Sequence, residues 1–210
     1  MPRQGFYTKC GKRALDAVSS AIGLLLLLPL FAVVALCIKA TSRGAVFYRQ
    51  VRIGRNGHPF RIVKFRSMDV VASGMPGGIT VSGDKRVTPV GRILRRYKVD
   101  ELPQLWNVLC GEMSLVGPRP ELPKYVESYS PNQRPVLAVR PGITDPASLI
   151  YRHEEEILAR EEDPERFYRD HILPDKLARH LAYIQNISCQ ADLRIILTTV
   201  GRSFLRNQPR

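Results

Sequence analysis

Two adjacent carboxylates, Asp100 and Glu101, lie between the arginines Arg95 and Arg96 and a proline-led apolar segment, PQLWNVLCG, at 103–111. In a chain of 210 residues with 19 acidic ones, chance supplies an adjacent acidic pair or two, and Glu154 to Glu156 is such a run. Setting gives the first pair its chemical interest. Pro103 suits the first turn of a helix and Gly111 its end, which puts both carboxylates just before a helix N-terminus. The partial positive charge there favours carboxylates and also a phosphate brought against them.

Downstream, Gly117-Pro118-Arg119-Pro120 and Arg140-Pro141-Gly142-Ile143-Thr144 each hold an arginine in backbone that proline restricts. A guanidinium binds phosphate oxygens with two donors and offsets charge that develops during transfer. Two anions beside a pyrophosphate would repel it unless a divalent cation intervened, and Mg²⁺ typically binds through one or two carboxylates plus substrate phosphate oxygens. One carboxylate can then hold the metal while the other attacks phosphorus, splitting one hard transfer into two steps. The bland alternative is structural: Arg96 and Asp100, four apart, form a surface ion pair on a helix, and Arg119 and Arg140 only stabilise their loops.

An element must carry this group to its substrate. From Ala21 to Ile38 the chain runs 18 residues without a charge, AIGLLLLLPLFAVVALCI, the minimum for a hydrocarbon core of about 30 Å. Arg3, Lys9, Lys12 and Arg13 precede the run, and Lys39, Arg43, Arg49, Arg52 and Arg55 follow it, so the positive-inside rule puts both ends on the cytoplasmic side. Pro29 sits at the middle, where a bend is expected. The expectation is a re-entrant helix that turns near Pro29, with a straight span as the alternative. A cleaved signal peptide fits less well, for want of a small-residue cleavage site.

The remainder reads as one α+β, mainly helical domain. Residues 45–65 predict a small β-hairpin around Asn56-Gly57, 72–83 a Gly/Ser/Pro-rich loop that orders over substrate or merely connects, and 87–97 a basic helix. From Glu154 onward the pattern is helical, ending in the amphipathic ADLRIILTTVGRSFL, which suits either a core helix or an interfacial one with Arg194 and Arg202 toward headgroups. Boundaries follow: 1–44 as membrane helix, 45–210 as catalytic domain on the cytoplasmic membrane face. Lys and Arg total 32 against 19 acidic residues, so the net charge of +13 predicts an anionic partner. The four cysteines are scattered without metal-ligand or disulfide spacing and suggest a reducing compartment. His58, His153, His171 and His180 are read as surface or packing residues without a role.

The chain resembles the bacterial sugar transferases, the monotopic polyprenyl-phosphate phosphoglycosyl transferases. The resemblance is carried by Lys12-Arg13 and Asp16, by VFYRQVRIGRNGHPFRIVKFRSM, VDELPQLWNVLCGEMSLVGPRPE and VRPGIT, and by YIQNISCQADLRIILTT, in family order. It implies transfer of a sugar-1-phosphate from a UDP-sugar to polyprenyl (undecaprenyl) phosphate with release of UMP, at the start of bacterial polysaccharide or glycoconjugate assembly. Asp100 would be the nucleophile, Glu101 the Mg²⁺ ligand, and Arg95, Arg119 and Arg152 the phosphate-binding arginines; Pro29 would break the re-entrant helix.

Bacterial inner-membrane lipids are then the surroundings, the catalytic domain lies on the cytoplasmic face, and nucleic acid is not a partner. A homodimer, the sugar and the pathway stay open. Where many members carry Gly-Trp after Gly142-Ile143-Thr144, this chain has Asp145-Pro146, and with no N-terminal polytopic region it looks like the minimal catalytic form. Two competitors remain: a membrane-anchored basic binding module for anionic lipid or nucleic acid, and one-step transfer on the same scaffold.

Overall fold

The computed structural model describes residues 7–69 and 79–204. Most of the expected loop at 72–83 lies outside them, as do Arg3 and the side chains of Lys9 and Arg202. The dominant element is α1 (Lys12–Thr41), and Pro29 lies inside this one helix rather than at a turn between two. It is long and apolar enough to cross a membrane by length and composition.

Its faces are inverted relative to a soluble helix. Asp16 and Ser20 point inward and are buried, whereas Leu25, Leu26 and Leu36 are 68%, 73% and 70% exposed. Asp16 is satisfied there, its Oδ1 accepting from the Leu115 backbone N–H at 3.0 Å. Both ends of α1 are fastened to the same globular body. Near the start, Lys12 pairs with Asp192, and Arg13 donates to the carbonyls of Val108 (2.6 Å) and Leu109 (2.9 Å). Near the end, Val34 and Ile38 form a core cluster with Phe65 and Leu94, and Ser42 Oγ accepts from Arg66 at 2.8 Å.

The expected hairpin forms. Strands β1 (Phe47–Ile53) and β2 (Pro59–Phe65) pair antiparallel around Asn56 and Gly57, both at positive φ (56° and 79°), which this pair of residues tolerates. Next come α2 (Pro89–Arg96), whose N-cap Thr88 accepts from the Gly91 N–H, and α3 (Leu105–Cys110), closed by Gly111 at φ 86° as the sequence predicts.

Strand β3 (Ser114–Val116) and strand β4 (Gly142–Thr144) pair in parallel. The sequence reading missed this pair, because three-residue strands carry no periodicity. Between them lies α4 (Pro123–Glu127), and after them α5 (Glu154–Leu158), α6 (Pro164–Phe167), α7 (Leu173–Gln185) and α8 (Cys189–Phe204). The main core gathers Val116, Tyr125, Tyr129, Leu158, Tyr168 and Leu177, with Ile195 and Ile196 of α8 packed against it. Outward, α8 shows Leu193, Leu197 and Val200, at i, i+4 and i+7, each half exposed or more.

Candidate active site

Asp100 and Glu101 sit in a tight 3₁₀ turn, Val99–Gln104, between α2 and α3. Expected at the N-terminus of α3, they lie one turn upstream, because Pro103 falls inside the 3₁₀ turn and the α-helix starts only at Leu105. Consecutive residues of such a turn point about 120° apart, and the two side chains meet different surroundings. Both are buried, at 6% and 8% exposure.

Glu101 Oε1 accepts from Lys64 Nζ at 2.7 Å and from Arg119 Nη2 at 2.6 Å. Burial opposes its charge, but Arg119, Lys64 and Lys98 outweigh burial and hold this carboxyl well below the usual glutamate range. Asp100 has no such clamp. Its Oδ1 is buried without a hydrogen-bond partner, and burial, with Glu101 adding to it, pushes its pKa up. The expected surface ion pair between Arg96 and Asp100 does not form, since Asp100 is buried while exposed Arg96 lies 5.8 Å over the Tyr97 ring. Burial pushes the Lys64 pKa down.

The β3–β4 pair sets Arg119. Gly142 approaches so closely that a Cβ there would meet Gly117 N at 2.1 Å, so the two proline-restricted loops leave the same point. From it, Arg119 reaches Glu101. Arg140 does not join the site: its Nε donates to the Gly111 carbonyl at 2.8 Å and ties the end of α3, which is the loop-stabilising alternative.

Two cavities flank the turn. One, of about 720 Å³, is lined by Glu101, Arg119 and Arg152 at one end and by Leu27 and Leu30 of α1, Leu105, Ile143, Ile196 and Val200 elsewhere. The other, of about 570 Å³, contains Arg95 and again Arg152. Arg95 is paired with Glu155 and reaches Met68 Sδ at 3.5 Å. Of the expected site residues, Glu101 and Arg119 touch each other, Arg152 lines both cavities, Arg95 lines only the second, and Pro29 lies in α1 between Leu27 and Leu30 of the larger cavity's wall.

Sequence reasoning overlooked Lys64, Lys176 and the pair Asp145–His180. A lysine between Val63 and Phe65 in an apolar strand demands a buried partner, and that was the available signal. Lys176, 5% exposed, pairs with Glu154 on the wall of the larger cavity and lies 4.9 Å from the Tyr168 ring centre. His180, read as packing only, is fully buried with Nε2 2.9 Å from Asp145 Oδ1. Asp145 Oδ1 also accepts from the N–H groups of Ala147 (2.8 Å) and Ser148 (2.9 Å). Burial works against its charge, yet His180, Ser148 and Arg119 hold Asp145 down at about 2. The Asp145-Pro146 departure therefore builds a capped turn that fixes the segment leading to Tyr151 and Arg152.

Among the described residues no group of three or more His, Cys, Asp or Glu is placed to hold a metal. Both ion pairs of Glu101 engage Oε1, leaving Oε2, and Asp100 Oδ1 is unpartnered. Such a donor set fits a Mg²⁺ ion shared with substrate phosphates better than one caged by protein.

A family model for bacterial sugar transferases matches residues 7–206. The chain is 39% identical to a UDP-glucose:undecaprenyl-phosphate glucose-1-phosphate transferase of Klebsiella pneumoniae, over 92% of this chain and 40% of that protein. It is 40% identical to a protein of the same name from Caulobacter vibrioides, over 90% and 68%. To an exopolysaccharide production protein of Rhizobium leguminosarum bv. phaseoli the identity is 39%, over 94% and 96%. The chain thus spans two fifths of the first of these relatives and nearly all of the third.

Proposed function

The chain belongs to the bacterial sugar transferase family, and from that premise we propose that it moves a sugar-1-phosphate from a UDP-sugar to polyprenyl phosphate, through a covalent intermediate on Asp100. The observation that carries this reading is the unequal dressing of the two carboxylates. Glu101 is clamped as an anion by Lys64 and Arg119, while Asp100 has raised basicity and an oxygen with no partner.

In the first half-reaction an Asp100 oxygen attacks the phosphorus that bears the sugar. The bond to the UMP oxygen breaks, and UMP leaves with that electron pair. In the second, an oxygen of polyprenyl phosphate attacks the same phosphorus, the acyl phosphate bond breaks, and Asp100 is regenerated as carboxylate. Arg119 and Arg152, with Arg95 behind them, bind phosphate oxygens and offset charge in the transition state. Glu101 would hold a Mg²⁺ ion, which would supply positive charge against the diphosphate.

The reading of α1 as re-entrant rests on its two fastened ends. A straight helix of 30 residues is roughly 45 Å long, and crossing a bilayer would carry one end away from the body to which both are bound. Entry and exit on the cytoplasmic face of the bacterial inner membrane, with flexure at Pro29, keep both contacts. The half-exposed apolar face of α8 supports an interfacial helix beside it. A mere binding module leaves the family match and both cavities unused.

The test is trapping. Incubation with UDP-sugar labelled in the sugar, without lipid acceptor, is expected to release stoichiometric UMP and leave label on Asp100. Full activity of Asp100→Asn, or no UMP before acceptor is added, would favour one-step transfer.

A further inference from the structure

The two cavities that share Lys98 on their walls differ in chemistry, and Glu101 lines only the larger. The larger opens between Leu27 and Leu30 of α1 and Ile196 and Val200 of α8, the helices whose outer faces are apolar, so a lipid enters there without leaving apolar surroundings. The second, at about 570 Å³, lies in the range of roughly 300–1,000 Å³ typical of small-molecule sites. Its wall carries Lys85, Arg92, Arg95, Arg96, Lys98 and Arg152.

The acidic side chains on that wall are already engaged, Asp84 by Arg86, Glu155 by Arg95 and Glu156 by His153. Among the described residues Lys85, Arg92, Lys98 and Arg152 make no ion pair with a carboxylate, and the six lysines and arginines of this wall outnumber its three carboxylates. Lys98 is held at φ 58°, a backbone conformation unusual for a residue with a side chain. That conformation puts Lys98 on the wall common to both cavities, two residues before Asp100. Tyr97, 42% exposed, lines both cavities as well and, with Arg96 over its ring, offers planar surface.

We propose that this basic cavity is the subsite for the nucleoside diphosphate half of the sugar donor, with Arg92 and Lys98 as phosphate-binding residues, and that the lipid phosphate is confined to the apolar cavity. The proposal rests on the transferase reading above. A nucleoside diphosphate carries the concentrated charge that several unpaired cations suit and a flat base for Tyr97 and Arg96. A polyprenyl chain would find no continuous apolar wall. In a two-step transfer the leaving UMP oxygen and the entering lipid-phosphate oxygen take the same position opposite Asp100. Separate cavities let the rest of each molecule lie on its own side.

The test measures UDP binding by titration calorimetry to the full chain in nanodiscs, with Asp100→Asn as a background free of turnover. Arg92→Ala keeps a good helix former on α2, and Lys98→Gly keeps the left-handed backbone while removing the ammonium. Each is expected to weaken UDP binding about tenfold, the loss typical of one charge-assisted hydrogen bond, and in the Asp100 enzyme to raise KM for UDP-sugar with KM for polyprenyl phosphate unchanged. Unaltered UDP affinity in both variants, or a rise confined to the lipid KM, would overturn the assignment. An enzyme that labels Asp100 yet binds UDP normally in both variants loses only the subsite. One that turns over no UDP-sugar but loses UDP binding keeps the subsite and loses the transferase reading.

Discussion

Replacing either member of the carboxylate pair by its amide changes one atom, yet the two replacements are expected to move stability in opposite directions. Asp100 is buried, its Oδ1 is unpartnered and its pKa is raised. Its charge therefore works against folding at neutral pH. The cost is at least that of an unmet buried acceptor, about 1–3 kcal/mol, and removing the negative charge in Asp100→Asn, which keeps only a neutral carbonyl acceptor, should raise Tm by roughly 2–12 °C at 2–4 °C per kcal/mol for a chain of this size.

The sign follows from the pKa direction. A folded-state pKa above the unfolded value of about 3.9 gives a contribution fully present below that pH and lost as pH rises through the folded pKa. The gain from Asn should therefore grow with pH and level off once pH has passed the folded pKa. Glu101 is the reverse case, with its folded pKa depressed. Its contribution is present above about pH 4.3 and lost as pH falls through the folded value. At neutral pH Glu101→Gln strands Lys64 and Arg119 and should cost about 3–5 kcal/mol. Thermal unfolding in detergent, followed by fluorescence of the single tryptophan, Trp106, from about pH 2 to about pH 8 reads both. If Asp100→Asn destabilises as much as Glu101→Gln, or if neither effect varies with pH, the division between an unpartnered buried carboxylate and a clamped anion is wrong.

Lys64→Met should lower kcat roughly 10²-fold and shift the acid limb of the pH–rate profile upward, since Glu101 loses one of the charges holding it ionised; an unmoved limb counts against that coupling. Gly142→Ala places a Cβ 2.1 Å from Gly117 N and should cost about 1–3 kcal/mol or more, seen as a lower midpoint in denaturant. His180→Ala removes the 2.9 Å hydrogen bond to buried Asp145 and should destabilise by about 1–3 kcal/mol; in variants that still fold, KM for UDP-sugar should rise as the Tyr151–Arg152 wall loosens. With Cys37, Cys110 and Cys189 replaced, an impermeant thiol reagent should reach Cys10, and a cysteine at Ala45→Cys, from the cytoplasmic side only. Labelling from opposite sides would establish a straight span.

What the sequence made legible was whatever local chemistry dictates. Asn56-Gly57 demanded positive φ and gave the hairpin, Pro103 and Gly111 bracketed the short helix, and Arg119 was drawn from proline-restricted backbone. Missed features depend on partners far along the chain. Lys64 finds Glu101 37 residues away and His180 finds Asp145 35 away, and neither separation leaves a periodic trace. Arg140 shows the complementary limit, for its loop reads like that of Arg119, and only the fold sends one to a carboxylate and the other to the Gly111 carbonyl. The inverted faces of α1 were hidden for the same reason, because the burial of Asp16 depends on Leu115, 99 residues away.

On the proposed re-entrant reading, α1 is at once membrane element, cavity wall through Leu27 and Leu30, and core partner of Phe65 and Leu94, and the active site then cannot swing free of the bilayer as it could on a flexible tether. Its encounters with acceptor are then two-dimensional. Turnover should follow the mole fraction of polyprenyl phosphate within the membrane, and diluting the vesicles with buffer should leave the rate per enzyme unchanged while diluting the acceptor with inert lipid should lower it in proportion.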